Sequence, residues 1–197
     1  MEVTPAMVKE LRAQTNAGVL DCKKALDECQ GDMEGAVRVL REKGLAVAAK
    51  KAGREAKDGL IEAYIHHGSR IGVLLELSCE TDFVAHTNIF RDLAHDLAMQ
   101  IAANSPLYIQ QENVPPDVIE SEKSIYRAQL ADSGKPPQIV DRIVTGKLET
   151  YFKDSCLVLQ TFVKDPEMTV GQLIQGKIAE LGENIIVRRF VRYELGS

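Results

Sequence analysis

One stretch, Ile71 to Val84 (IGVLLELSCETDFV), does most to limit what this chain can fold into, because an apolar run of strand length ends there in an acidic, aromatic corner. Val73 to Leu77 is nearly unbroken and rich in branched residues, which predicts a central strand buried on both faces rather than one that alternates. Glu80, Thr81 and Asp82 interrupt it with side chains that accept hydrogen bonds from the unpaired N–H groups of a first helical turn. The chain is therefore expected to turn there. Phe90, Leu93, Ala94, Leu97 and Ile101 then recur at helical spacing, predicting a helix that ends near Asn104, Ser105 and Pro106. Phe83 and Val84 belong to neither pattern. Either Phe83 staples the start of the helix onto the core, or the junction presents it to a partner.

With 197 residues, 45% of them hydrophobic and 27% charged, the chain can bury a core of its own without disulfides or metals. The net charge of −5 is unevenly spread: residues 1–58 carry 11 basic and 10 acidic side chains, the remainder 13 and 19. The larger part thus lacks the basic face that phosphate binding needs. No apolar run reaches signal-peptide length at the start or the ~18 residues that span a bilayer, so a cytoplasmic protein without membrane contact is expected. Cys22, Cys29, Cys79 and Cys156 stand at no metal spacing and are expected to be free thiols.

In chain order, Thr4-Pro5 starts a helix with Val8 and Leu11 inward, and Thr15-Asn16-Ala17-Gly18 ends it. Leu20, Ala25 and Leu26 lie on a second helix that stops at Gln30-Gly31. Asp32 caps a third carrying Met33, Ala36, Val37 and Leu40, with Gly44 placed to end it. Residues 1–45 thus read as a three-helix module, a docking unit whose main rival is a helix-turn-helix DNA reader. That rival lacks a basic face, since Asp21, Asp27 and Glu28 offset Lys23 and Lys24. Residues 46–58 form a basic, solvated, semi-helical linker between domains, with nucleic-acid contact through it as the minor alternative. Residues 59–197 read as an α+β core: a hairpin of Gly59–His66 with the central strand around the turn His67-Gly68-Ser69, a helical hairpin over 117–155, a helix from Thr169 to Gly182 and a last strand from Asn184 to Leu195. In the helical hairpin Val118, Ile119, Ile125 and Leu130 face Ile139, Ile143, Leu148 and Phe152. Cys156 to Val163 is an edge strand or an extended covering segment.

Little of this suggests covalent chemistry. Gly134-Lys135 and Gly146-Lys147 lack the earlier glycine of a phosphate-cradling loop, and His66 and His67 point to opposite faces of a strand. A Cys79–His86 thiol nucleophile and a Glu80/Asp82 acid–base pair are the enzymatic alternatives, against an inert thiol and capping carboxylates. No catalytic residue, metal or cofactor is expected.

Four segments in order carry a resemblance: AGVLDCKKAL at Ala17–Leu26, AAKKA at Ala48–Ala52, CETDFV at Cys79–Val84 and TVGQLI at Thr169–Ile174. Together they resemble the elongation factor Ts family, the guanine-nucleotide exchange factors of elongation factor Tu in protein biosynthesis. The resemblance implies that the N-terminal module is similar to ubiquitin-associated domains. It also implies that the chain promotes GDP release by binding the partner's GTPase domain and disturbing its magnesium and nucleotide site. By the same resemblance Asp82 and Phe83, with Thr81 and Val84 beside them, meet that site, and Arg12, Val19 and Leu20 contact the domain from the N-terminal module. The family often has two methionines where this chain has Val19 and Leu20, which repack less readily. Longer relatives carry two copies of the core. This chain has one, and short members resemble homodimers, so the apolar run Ile185–Val191 is expected to meet a second copy. The 117–155 hairpin matches only loosely and receives no role.

Overall fold

In a computed structural model, which describes residues 3–15, 17–131 and 133–196, the elements follow in the order helices α1 (Pro5–Thr15), α2 (Val19–Glu28) and α3 (Met33–Lys51); strands β1 (Asp58–Ile65) and β2 (Ile71–Cys79); helices α4 (Asp82–Ala85), α5 (Asn88–Asn104), α6 (Pro116–Gln129) and α7 (Pro137–Ser155); strands β3 (Thr161–Phe162) and β4 (Asp165–Thr169); helix α8 (Val170–Leu181); and strand β5 (Ile186–Glu194). The fold is α+β. Strand β2 lies between β1 and β5 in a three-stranded antiparallel sheet, and β3 and β4 pair separately, also antiparallel. No helix is long and apolar enough to cross a membrane among the described residues.

The expected helix starts are realised by side-chain caps. The Thr4 hydroxyl accepts from Met7 N at 3.3 Å, and the Asp32 carboxylate accepts from Glu34 N and Gly35 N at 3.2 and 3.1 Å. Helix α1 stops at Thr15 and α2 opens at Val19; Asn16, part of the expected break, lies outside the described residues. Helix α3 departs from expectation. It runs through Gly44 to Lys51, because Gly44 does not adopt the left-handed conformation of a helix end and the alanine-rich segment after it favours helix. A Cβ at Gly44 would lie 3.7 Å from Ala179 of α8.

Strand β2 is central, as expected, but it is not buried on both faces. Val73, Leu75 and Leu77 are buried, whereas Leu74 is 48% exposed and Glu76 half-buried. The reason is topological: an antiparallel sheet can leave one face open, so an apolar run need not be doubly covered. Gly59, at φ +145°, lies so close to β2 that a Cβ would come within 2.1 Å of the Leu77 carbonyl oxygen.

The molecule divides into two compact units. The first comprises Met1–Glu62, Leu75–Asp96 and Gln172–Phe190, the second Ala63–Leu74, Leu97–Gly171 and Val191–Ser197. In the first, Leu11, Cys22, Ala25, Leu26, Ala36 and Leu40 form the core of the three N-terminal helices. Helix α5 buries the expected stripe, Phe90, Leu93 and Ala94 in this unit and Leu97 and Ile101 in the second, each of the larger side chains adding about 1.5–3 kcal/mol. Ile185 and Val187 are also buried, so of the run expected to meet a second copy, Val191 is the large apolar side chain left exposed.

In the second unit the His66–Ile71 hydrogen bond closes the β1–β2 hairpin, with Gly68 and Ser69 at positive φ as the turn requires. Helices α6 and α7 pack as the expected hairpin, with Val118, Ile119 and Leu148 against Phe152. Ile125 and Ile139, expected inward, are exposed: the buried stripe thins away from Phe152. The segment after Cys156 is neither simple alternative. It makes a single 3-10 turn, Leu157–Leu159, before β3. Buried Gln100 and Gln160 tie this unit together. Gln100 Nε2 donates to Gln160 Oε1 and Thr161 O, both at 3.1 Å, and Gln100 Oε1 accepts from Val163 N at 2.9 Å. Gln160 Nε2 in turn donates to Asn104 O and Asp154 O. Replacing Gln100 by methionine keeps the volume but strips partners from three groups, so Gln100→Met should cost about 2 kcal/mol or more. A thermal melt should show the transition lowered by about 4–8 °C; an unchanged melting temperature would disprove the role of this network.

Candidate functional site

The corner at the end of β2 is built by one short helix and the groups that hold it. Helix α4 spans four residues, far fewer than a helix needs to persist alone, so its orientation has to be imposed. The Thr81 hydroxyl caps it, accepting from Val84 N at 3.4 Å. On the far side Thr87 donates its hydroxyl to Val84 O at 2.8 Å and accepts from Phe90 N at 3.3 Å, linking α4 to the first turn of α5.

The decisive contacts come from the turn after α8. Glu183 places one carboxylate oxygen 3.0 Å from both Glu80 N and Thr81 N, while its other oxygen accepts the Thr81 hydroxyl at 2.6 Å. The arrangement is reciprocal: the Glu80 carboxylate accepts from Asn184 N at 2.7 Å and faces Arg54 at 3.6 Å. Asn184, itself buried, donates its amide to Ala52 O and Arg54 O. Lys51 donates to Gly182 O, the carbonyl of a glycine in the left-handed conformation after α8. Glu80, first considered as an acid–base group, is thus a bracing group.

At this braced corner Thr81, Asp82 and Phe83 are exposed, and Phe83 is 80% so. It does not staple the helix start. Val84 takes that part, buried while its neighbour stands in water. Of the four residues expected here, three form a surface and one anchors it. The three expected in the N-terminal module also come together: Arg12, Val19 and Leu20 line one groove of about 400 Å³ with Val3, Pro5, Val8, Lys9 and Lys23. Leu20 is 72% exposed. The lining of the groove combines apolar side chains with three cations.

The thiol alternative finds no support in the geometry. Cys79 is buried and donates to Thr81 O at 3.1 Å, while the His86 ring bonds Asp82 O. Burial, reinforced by the Glu183 carboxylate, pushes the Cys79 thiol up to about 11. Among the described residues no three His, Cys, Asp or Glu side chains are grouped to hold a metal. Glu183, Asn184 and Arg54 were not found from the sequence. The only local signal is a glycine-ended helix followed by two polar residues, and nothing in it points to a partner about a hundred positions earlier.

A family model described as "Elongation factor TS" matches residues 5–197. Similar curated proteins are named elongation factor Ts in Carboxydothermus hydrogenoformans (58% identical, 99% of this chain and 90% of that one), Fervidobacterium nodosum (57%, 100% of both) and Heliobacterium modesticaldum (59%, 99% and 91%).

With its pKa near 11, only roughly one Cys79 in a thousand is thiolate at pH 8. Native protein should therefore leave Cys79 unlabelled by a thiol reagent at that pH until denaturant is added, as read by mass spectrometry of the peptide. Rapid native labelling would contradict the buried assignment.

Proposed function

The chain belongs to the elongation factor Ts family, and on that premise we propose that it promotes GDP release from elongation factor Tu by engaging the GTPase domain with the Asp82–Phe83 corner. The observation that carries the reading is Phe83, a large apolar side chain 80% exposed on a corner that hydrogen bonds hold from both sides. An isolated monomer gains nothing from that exposure, whereas a partner pocket would gain an aromatic anchor.

Exchange is a coupling problem. A factor that binds the nucleotide-free partner more tightly than the GDP-bound one weakens GDP by the same ratio, by linkage. No covalent step is required, and the protein is an exchange factor rather than an enzyme. Phe83 acts as a wedge between partner helices. Asp82 brings a carboxylate toward the partner's magnesium ion, whose oxygen shell tolerates little distortion. The groove of Arg12, Val19 and Leu20 supplies a second, steadier contact, so that three-helix module, basic linker and corner act on one partner. The working compartment is the cytoplasm, with neither nucleic acid nor membrane as a ligand.

A second copy of the chain is the other partner. In the second unit Ile65 (65% exposed), Leu74 and Tyr193 (69%) join Val191 on exposed strand positions, and Ile65 reaches across to Gly72, where a Cβ would lie 3.1 Å from its Cδ1. Such an apolar sheet face is self-complementary in a two-fold dimer. Light scattering should give a mass near twice 21.8 kDa, and Leu74→Glu should shift it toward the monomer. A monomeric mass for the unaltered chain at micromolar concentration would remove the dimer from the reading.

The exchange reading is tested by stopped-flow release of fluorescent GDP from elongation factor Tu, beside thermal melts. Phe83→Ala should lose roughly thirty-fold in exchange, the weight of an aromatic anchor of about 2 kcal/mol, with its melting temperature unchanged. Asp82→Ala should slow release while keeping part of the affinity. Full exchange by Phe83→Ala would overturn the wedge.

A further inference from the structure

We infer that Glu183 is a positioning residue for nucleotide exchange, fixing the direction in which the Thr81–Phe83 corner presents Phe83. The inference rests on the reading of that corner given above.

Three donors converge on the Glu183 carboxylate: Glu80 N, Thr81 N and the Thr81 hydroxyl. All three lie immediately before Asp82 and Phe83. Carboxylate acceptors make the stronger class of hydrogen bond, and three at once leave the backbone of residues 80 and 81 a single arrangement. By taking the hydroxyl proton at 2.6 Å, Glu183 also turns the Thr81 oxygen so that its free lone pair caps Val84 N. The carboxylate therefore governs the backbone that enters α4 and the cap that starts it.

The other bond described above to this stretch of backbone is the weaker one from the Cys79 thiol to Thr81 O at 3.1 Å. The ring makes no core contact of its own, being 80% exposed, and a four-residue helix cannot define its own axis. The reciprocal bond from Asn184 N to Glu80 keeps the turn carrying Glu183 in register with the end of β2. An error of about 1 Å in a group that must fit a partner can cost as much as a hundred-fold in rate. A residue that acts through the corner can therefore limit exchange by letting the corner swing.

The test uses the full chain with elongation factor Tu and measures GDP release at a temperature well below every variant's melting transition. Glu183→Ala should slow exchange about ten-fold. The same substitution added to Phe83→Ala should cost about three-fold or less, because it acts through a side chain already removed. A role in stability alone would lower the melting temperature and leave the rate per folded molecule unchanged in both backgrounds. If Glu183→Ala does not fold, Glu183→Asp keeps the charge but is one methylene too short to meet all three donors, and reads the same coupling. Unchanged exchange, or an equal loss in both backgrounds while Phe83→Ala alone remains impaired, overturns the inference and spares the corner's role. Full exchange by Phe83→Ala removes the corner's role and the inference with it.

Discussion

Where β2 ends, two backbone N–H groups and a hydroxyl would face solvent without fixed partners, and the Glu183 carboxylate collects all three. Thr87 does the corresponding work on the other side of the corner, accepting from Phe90 N and donating to Val84 O. Between these two fastenings sits a helix too short to stand alone. Its geometry is that of its supports: a carboxylate from the turn after α8 and the first turn of a helix whose Phe90, Leu93 and Ala94 are buried. Stability and presentation separate at adjacent residues, with Val84 buried and Phe83 in water. That division leaves an apolar side chain in water without loosening the element that carries it.

The same economy recurs in the N-terminal helices. Leu11, Cys22, Ala25 and Leu26 close the core, while Val19 and Leu20, on the same short helix as three of those residues, remain exposed and line a groove with Lys9, Arg12 and Lys23. The bonds of Asn184 to Ala52 O and Arg54 O, with Lys51 on Gly182 O, tether the end of α3 to the turn that braces the corner. Groove and corner therefore belong to one compact unit.

Much of the fold was legible because it depends on neighbours in sequence. A capping residue reaches N–H groups two or three positions away, so Thr4, Asp32 and Thr81 could be read directly. A helix shows its buried face every three or four residues, which is why Phe90 to Ile101 was found without a structure. The errors share another cause. Gly44 reads as a stop when only its own preferences are weighed, yet helix continues through it. The branched run Val73 to Leu77 reads as doubly buried, yet nothing in the run says whether a second layer exists to cover Leu74.

What the sequence by itself determined about this protein is most of its longer helices and the three strands of the main sheet, the place of the corner and, through four matching segments, its family. These rest on short-range periodicity and on motifs that survive as strings of residues. Only the tertiary structure decided which of two adjacent apolar residues, Phe83 or Val84, goes inside, that Arg12, Val19 and Leu20 share a groove, and that Glu183 meets Thr81. The last of these depends on a contact between positions about a hundred residues apart, where a carboxylate's choice among many distant donors leaves no mark on the residues around it.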